Sequence, residues 1–528
     1  MSVTYTAQCF VRPSLSALRP PYEHPTPAES DGAFSLADVL AIRSIHPFYN
    51  PHVLYPPDAD AIRTVRRRAA RGAGEVDLKR QPLLWKKDLY IAIERLINDS
   101  SPQNTFRRSI YTSTTGGGSG SKTLFFATDV HENRRQRALF GRFLRHMGLA
   151  TEKDWIVTVH SAGNLYRSLD LTLELLENAG ATVLAAGHDM SPAAVVRLVT
   201  QYSANALSGD SGQIVSMVHY ISTLPQDERA KLGVDKIIYT SESLTAAQRA
   251  HIRAVLGPHT QICSILGSAE GGPYAASSST HLSRGHLEEE KEEDDDDDSS
   301  AAGDFQDFFV DDRMTRIEIL PMSVPENDAS PVSAAACVPD GERGMIAQTS
   351  LTRLRNPLVR YITGDIGSLH RLSRRAAAAL PARERRHMYV LRLYGRDRRF
   401  SFEWGGEYYE FRNLAALMND ARLGVLQWQV VLDRADGGSE EAWLEVRLLR
   451  AGEDVGGKNM IGDGIGTGTG TGTGIVSKEE LARRIGTFFG LCAANEERFR
   501  LVFLDGLDQF ELSSGGRKVV KFIDRFNK

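Results

Sequence analysis

Between residues 154 and 258 the apolar positions follow one repeating pattern: a short solid run, then a longer stretch in which they return every three or four places. Ile156, Val157 and Val159 make the first run, a strand; Leu169, Leu173 and Leu176 then recur at helical spacing until Gly180 can cap the helix. Residues 181–187 read as another buried strand. Ser191-Pro192 opens a helix as N-cap and first-turn proline, with Val195, Leu198, Val199 and Tyr202 on one face. Thr245 and Gln248 form a capping box for a helix that Gly257-Pro258 closes. Solid runs suit strands buried on both faces, and the amphipathic stretches between them suit helices lying on a sheet. These are repeated βα units of an α/β fold.

Beyond Gly395 the pattern changes to a helix around 411–419, strands near 425–432 and 443–449, a helix from the capping box at Ser477 to Glu480, and a strand near 498–504. From Leu444 to Leu448 apolar and polar residues alternate, as a strand with one wet face requires. A small α+β domain is predicted here. Two low-complexity segments interrupt the elements, an acidic run at 288–298 and a Gly-Thr repeat at 466–474. Neither carries enough apolar surface to join a core, so both read as solvated loops.

Composition excludes more than it proposes. With 528 residues, a prior of roughly three to four domain-sized units holds, and 41% hydrophobic residues allow a substantial core. A net charge of -4 supplies no basic field for nucleic acid. No apolar run reaches the ~18 to 20 residues of a membrane span, and residues 1–15 lack a charged-then-apolar leader. The four cysteines, Cys9, Cys263, Cys337 and Cys492, lie far apart with no C-x-x-C pair. That spacing argues against a zinc site or a disulfide framework and for a reducing, cytoplasmic location.

The chemical signal is concentrated in Tyr111 to Thr123, which packs hydroxyls, glycines and Lys122 between two β-prone runs. Glycines let backbone N–H groups approach an anion, while Ser, Thr and Lys add donors, so the loop is built to hold phosphate. A Walker A loop is one residue away, with Ser121 where a glycine should precede the lysine. Such a loop must open a helix, yet Leu124 to Thr128 is aromatic-rich and strand-like. The segment therefore reads as the tip of a β-hairpin.

Further segments follow in order: Tyr239-Thr240-Ser241-Glu242-Ser243, Ile265-Leu266-Gly267-Ser268-Ala269-Glu270-Gly271-Gly272, and Pro357-Leu358-Val359-Arg360-Tyr361-Ile362-Thr363-Gly364-Asp365. Leu393-Tyr394-Gly395-Arg396 and Gly516 to Asp524 come after them, while Pro47-Phe48-Tyr49 and Leu83 to Leu89 precede the loop. Together they resemble the motifs of adenylate-forming enzymes, the AMP-dependent synthetase/ligase superfamily, and specifically its phenylacetate–CoA ligase-like branch. The third segment is the strongest match, similar to P-L-I-R-Y-x-T-G-D. The resemblance spans nearly the whole chain.

It implies a large N-terminal adenylate-forming domain of βα layers over 1–394, with the acidic insertion at 284–303, and a small α+β C-terminal lid over 395–528, with the Gly-Thr loop at 456–475. It implies ATP, Mg²⁺ and CoA: an aryl or short acyl acid becomes an acyl adenylate with loss of pyrophosphate, then passes to the CoA thiol. A carrier-protein thiol or an amine is the alternative acceptor, and a decayed nucleotide-binding relative is the non-enzymatic alternative. Carried over residue by residue, Lys518 would bridge the acyl carboxylate and the α-phosphate, since a compact ammonium offsets charge on both, with Lys521 as fallback. Thr112, Ser113, Thr114, Thr115, Gly116 and Lys122 would cradle phosphate; Ser241, Glu242 and Gly267 would bind the rest of the nucleotide. Asp365 would accept both ribose hydroxyls on its two oxygens, with Arg396 against the same ribose. Glu270 would hold Mg²⁺, which needs only one or two protein carboxylates beside phosphates. His160, Tyr166 and Gly271 would face the acyl group, with Tyr166 and Tyr274 able to flank an aryl ring.

The chain also departs from the pattern. Ser113 replaces a glycine of the loop, Leu266 a tyrosine, and Ala269 the hydroxyl residue before Glu270. Losing that hydroxyl removes a phosphate contact whose charge-assisted hydrogen bond is worth roughly 1.5 to 3 kcal/mol. Arg398 and Arg399 stand where acidic residues are usual. Adenylation survives these changes better than transfer to CoA does.

Overall fold

The computed structural model describes residues 33–71, 77–114, 125–163, 165–241, 243–278, 305–324, 337–396, 401–404, 407–434, 442–451, 475–492, 495–513 and 518–526. Three helices come first: α1 (Leu36–Arg43), α2 (Ala59–Arg71) and α3 (Lys86–Asn98). Strands β1 (Ile110–Thr114) and β2 (Phe125–Asp129) pair antiparallel, so the phosphate-type loop does join a hairpin, and Asp129 caps α4 (Val130–His146) directly after it. Then the predicted alternation appears as β3 (Trp155–Thr158), α5 (Ser168–Asn178), β4 (Thr182–Ala185), α6 (Pro192–Gln201), β5 (Ala206–Asp210), α7 (Ser211–Ser222), α8 (Gln226–Arg229), β6 (Lys236–Thr240), α9 (Ala246–Leu256) and β7 (Gln261–Ser268).

Those five strands are parallel and form one half of an eleven-stranded sheet. The other half is antiparallel: β8 (Gly272–Ser278), β9 (Gln306–Asp311), β10 (Thr315–Leu320), β11 (Gly344–Ser350), β12 (Tyr361–His370) and β13 (Met388–Arg396), in the spatial order β10-β11-β12-β13-β9-β8-β7-β6-β5-β3-β4. Neighbouring residues of one strand point to opposite faces. Ile156, Ile238 and Cys263 therefore enter the core under α4 and α5 with Phe140, Leu144, Leu175 and Leu176. Val157, Ile237 and Ile262 enter the core under α6, α7 and α9. Helices cover both faces of the parallel half, as solid apolar runs require.

Two local expectations change. Residues 182–185 are a strand but not a buried one, because β4 is the sheet edge, bonded to β3 alone, and its residues run from exposed to half-buried. The buried face of α5 is Thr172, Leu175 and Leu176 rather than Leu169, Leu173 and Leu176. Gly141 of α4 explains the rotation: a Cβ there would lie 2.4 Å from Asn178 Cβ, so α5 is pressed onto α4 along that side.

After two short helices, α10 (Arg374–Ala379) and α11 (Ala382–Arg385), which precede β13, the C-terminal part begins with the pair β14 (Ser401–Trp404) and β15 (Glu407–Glu410), which the hydropathy pattern did not announce. Next come α12 (Phe411–Met418), β16 (Val425–Arg434), β17 (Ala442–Arg450), α13 (Lys478–Phe488), β18 (Phe499–Leu504) and β19 (Phe522–Asp524). A four-stranded sheet, β18-β17-β16-β19, buries Val430, Leu432, Leu444, Val446 and Leu448 beneath α12 and α13 with Trp404, Leu481, Ile485 and Phe489. The alternation read in Leu444 to Leu448 holds, but Leu449 and Arg450 are both buried. Leu449 leaves this core to join the one under α6, α7 and α9, together with Leu426, Phe510 and Val519. Gln248 closes the predicted capping box of α9 and also donates to the Leu426 carbonyl, tying that helix to the C-terminal sheet.

Candidate functional site

In a parallel sheet, ligands gather at the carboxyl ends of the strands. Here those ends carry His160 and Ser161 after β3, Asp210 on β5, Ser241 after β6, and the tight β7–β8 turn from Ser268 to Gly272. Ser241 holds φ +79, a left-handed conformation uncommon outside glycine that costs energy in a side-chain-bearing residue. Gly267 and Gly271 are required by close packing: a Cβ on Gly267 would lie 2.8 Å from the Gly272 carbonyl oxygen, and one on Gly271 would lie 2.3 Å from Gln348 Oε1.

The β1–β2 hairpin approaches this edge. Thr112 and Ser113 are half-buried, and the buried Thr114 hydroxyl has no hydrogen-bond partner among the described residues. Tyr111, at the base of the loop, is clamped between the guanidinium groups of Arg137 and Arg167, 4.4 and 4.0 Å from its ring centre, and donates to Asp170 Oδ2 at 3.3 Å. Burial pushes its hydroxyl up to about 12. Because Arg167 adjoins Tyr166, this clamp fixes the phosphate loop's base to the segment predicted to face the acyl group. Thr115, Gly116, Lys122 and Glu242 lie outside the described residues, as do Arg398 and Arg399.

The residues expected to face the acyl group have polar neighbours. His160 is fully buried, its Nε2 3.3 Å from the Ser208 hydroxyl, and burial lowers its pKa to about 3, so the ring is neutral. Gln213 donates to Ser161 Oγ at 3.0 Å and joins Asp210 in a capping box. Burial and then Asp210 push the Tyr166 hydroxyl up to about 12. Tyr274 is elsewhere, packed at 3% exposure among Leu266, Phe308, Val310 and Leu391.

Asp365 and Arg396 are direct partners in the β12–β13 register, so backbone pairing sets side by side the two residues expected on one ribose. Arg360, five residues earlier, is structural. It is buried with φ +49, pairs with Glu318 at 3.0 Å, and donates to the carbonyls of Lys79 and Gln81. Through it and Tyr361 the N-terminal segment joins the sheet: the Leu84 N–H donates to the Arg360 carbonyl and the Ile362 N–H to the Leu84 carbonyl.

That junction delivers Lys86 and Tyr90 of α3 to Glu270. Lys86 Nζ lies 3.1 Å from Glu270 Oε1, and Tyr90 Oη donates to the same oxygen at 2.7 Å. Burial alone would raise the Glu270 pKa, but the ammonium and this hydrogen bond bring it below the ordinary value. Beside them Arg353 is fully buried, with Nε and Nη1 lacking partners among the described residues; burial lowers its pKa to about 10 against the opposing pull of Glu132 and Glu270. No described residues form a cluster of three or more metal-ligating side chains. Glu270 Oε1 is thus engaged twice, by an ammonium and by a hydroxyl, and an Mg²⁺ ion bound to that oxygen would have to displace both. Lys86, Tyr90 and Arg353 were not singled out in the sequence, since nothing in their spacing ties them to Glu270; the start of an amphipathic helix at Trp85-Lys86-Lys87-Asp88 was the available signal.

Lys518 sits on a hairpin held by the C-terminal sheet. Leu512 and Val519 pair antiparallel, and the Ser513 N–H donates to the Lys518 carbonyl at 2.7 Å. Gln429, fully buried, donates to the carbonyls of Glu511 and Val520, so one side chain grips both arms. Val519 and Phe510 pack in the core under α6, α7 and α9, and Leu507 would lie 3.8 Å from a Cβ on Gly212, two residues past Asp210. Lys521, the fallback, donates to Gln427 within its own sheet and stacks on Trp428. A cavity of about 670 Å³ lies between α7 and the C-terminal sheet, lined by His219, Arg450, Lys478 and Phe503; none of the predicted site residues borders it.

No family profile matches the chain, and no curated protein matches it. Among solved structures, 2-hydroxyisobutyryl-CoA ligase in the postadenylation state with R3-HIB-AMP is similar at a TM-score of 0.56 and 15% identity, covering 93% of this chain and 88% of that one. The same ligase with 2-HIB-AMP is similar at 0.56 and 14%, covering 95% and 94%. The fold is that of the adenylate-forming ligases, a large α/β part followed by a small C-terminal one.

Proposed function

We propose that the chain activates a carboxylic acid with ATP and passes the acyl group to the thiol of CoA. A carboxylate oxygen attacks the α-phosphorus, the bond to the bridging β-phosphate oxygen breaks, and pyrophosphate leaves with the electron pair. A thiolate then attacks the carbonyl of the mixed anhydride and AMP departs. Bringing two anions together is the difficulty, so fixed donors and cations carry the first half. The observation that carries this reading is convergence: the strand ends bearing His160, Asp210 and Ser241, the phosphate-loop hairpin and the Asp365–Arg396 pair come from distant parts of the sequence to one fold. The fold-mates bind acyl adenylates as CoA ligases, which supports CoA as acceptor.

In this reading Asp365 and Arg396 hold the ribose, Thr112 to Thr114 the phosphates, and Lys518 swings between acid and α-phosphate as the lid over 395–528 turns about Gly395. A short acid suits the polar groups beneath it, His160, Ser161, Ser208 and Gln213; of the two tyrosines expected to flank an aryl ring, Tyr274 is committed to the core and Tyr166 alone is left. The test is carboxylate-dependent exchange of labelled pyrophosphate into ATP across a panel of short and aryl acids, then thioester formation on adding CoA. Exchange with a short acid is expected. Lys518→Ala should lower exchange at least a thousandfold while leaving thioester formation from a synthetic acyl adenylate within roughly tenfold. Folded protein that exchanges with no acid overturns the reading.

A further inference from the structure

The turn that carries Glu270 already holds a cation. The carboxylate is 3% exposed, whereas the Lys86 side chain that pairs with it at 3.1 Å is 46% exposed. The ammonium therefore has one side on Glu270 and the other open. Lys86 is the first residue of α3, so its backbone is fixed by the helix that also carries Tyr90. Tyr90, one turn on, fixes the carboxylate and packs its ring edge-on to Phe126 at the exit of the phosphate loop, 6.5 Å between centres. Leu84, two residues before, is bonded to the strand that leads to Asp365. Through Tyr90 and Leu84, two further segments expected to hold the nucleotide are tied to the start of the helix that carries Lys86.

Arg353 lies between two carboxylates, Glu270 and Glu132, and Glu132 is committed to the Leu354 and Arg355 N–H groups, so Lys86 is the cation left facing Glu270 from the open side. A dication on Glu270 Oε1 would have to displace both Lys86 and Tyr90. An anion meets an open ammonium. Resting on the adenylating function proposed above, we propose that Lys86 is the cation against which the nucleotide's phosphates bind, with Glu270 as its counter-ion rather than as a metal ligand.

ATP binding to the full chain, measured by calorimetry in EDTA and in excess Mg²⁺, tests this. Wild type is expected to bind in both, within severalfold. Lys86→Met should weaken binding roughly ten- to hundredfold in both conditions, and Lys86→Arg should recover most of it. Lys86→Met/Glu270→Gln removes the buried unpaired carboxylate and so restores folding stability, yet binding should stay weak. Three outcomes overturn the proposal: Lys86→Met binding as wild type does, the double variant recovering affinity, or wild-type binding that vanishes in EDTA with Glu270→Gln reproducing the loss. If wild type binds no ATP at all and supports no exchange, the adenylating function itself falls; if it does both and Lys86→Met is unaffected, only this inference falls.

Discussion

His46 shows how a single buried side chain sets a pH dependence. It is fully buried; its Nδ1 accepts the Phe48 N–H at 3.2 Å and its Nε2 faces Asn356 Oδ1 at 3.3 Å, an arrangement only the neutral ring satisfies. Burial lowers its pKa to about 3, and that of His251 to about 4. The unfolded chain, with histidines near the ordinary 6.5, therefore takes up protons first as pH falls. Stability is complete above about 6.5 and is lost toward acid, by up to about 1.4 kcal/mol per pH unit for each such histidine. Urea unfolding at pH 7.5 and 5.5 should show this loss, and His46→Asn should show a shallower slope; parallel slopes would remove His46 as a cause. The same scale explains why Lys518 was singled out in the sequence while Lys86 was not. Lys518 lies inside a recognisable terminal motif, but the partner of Lys86 is 184 positions away (270 minus 86) and only the bridge at Leu84 and Tyr361 reveals it.

At the scale of elements, N-caps were read correctly because they are local, although of the box at Ser477 to Glu480 only the Ser477 half forms, the Glu480 carboxylate being taken by Arg483 and Arg484. Ser191 accepts from the Ala194 N–H, and Thr245 and Gln248 close their box, as short-range hydrogen bonds dictate whatever the fold. Tertiary contact adds a second task to one of these residues, since the Gln248 amide also bonds the Leu426 carbonyl. Gln248→Ala should therefore cost about 1 to 3 kcal/mol, more than a cap alone, because it leaves a buried carbonyl unpaired. Hydrogen exchange should quicken both in α9 and in the Leu423 to Leu426 segment; quickening in α9 alone would mean the tie contributes nothing. The face of α5 and the exposure of β4 were misjudged for the converse reason: which neighbour a helix presses on, and whether a strand ends a sheet, are not encoded in spacing.

Across the whole molecule, the acidic insertion connects β8 to β9, two strands that lie side by side in the sheet. Its ends need no long span, so replacing 284–303 with a short Gly-Ser bridge should leave the fold intact and stabilise it by about 1 kcal/mol through the smaller closure entropy. Thermal and urea unfolding measure this; a loss of several kcal/mol would assign the insertion a packed role. The two-part organisation has a similar logic. The C-terminal sheet buries Leu426, Leu449, Phe510 and Val519 against the α6, α7 and α9 face, an apolar contact that orders the hairpin carrying Lys518. What the linear order of residues decided alone was whatever acts over a few positions: the βα alternation, the caps, the phosphate-type loop and the motifs that named a chemistry. What awaited three dimensions was the antiparallel half from β8 to β13, the pairing of Asp365 with Arg396, and the cation on Glu270. Each of these depends on strands or helices that meet across long stretches of chain, where free energy comes from burial and pairing that no window of neighbouring residues contains.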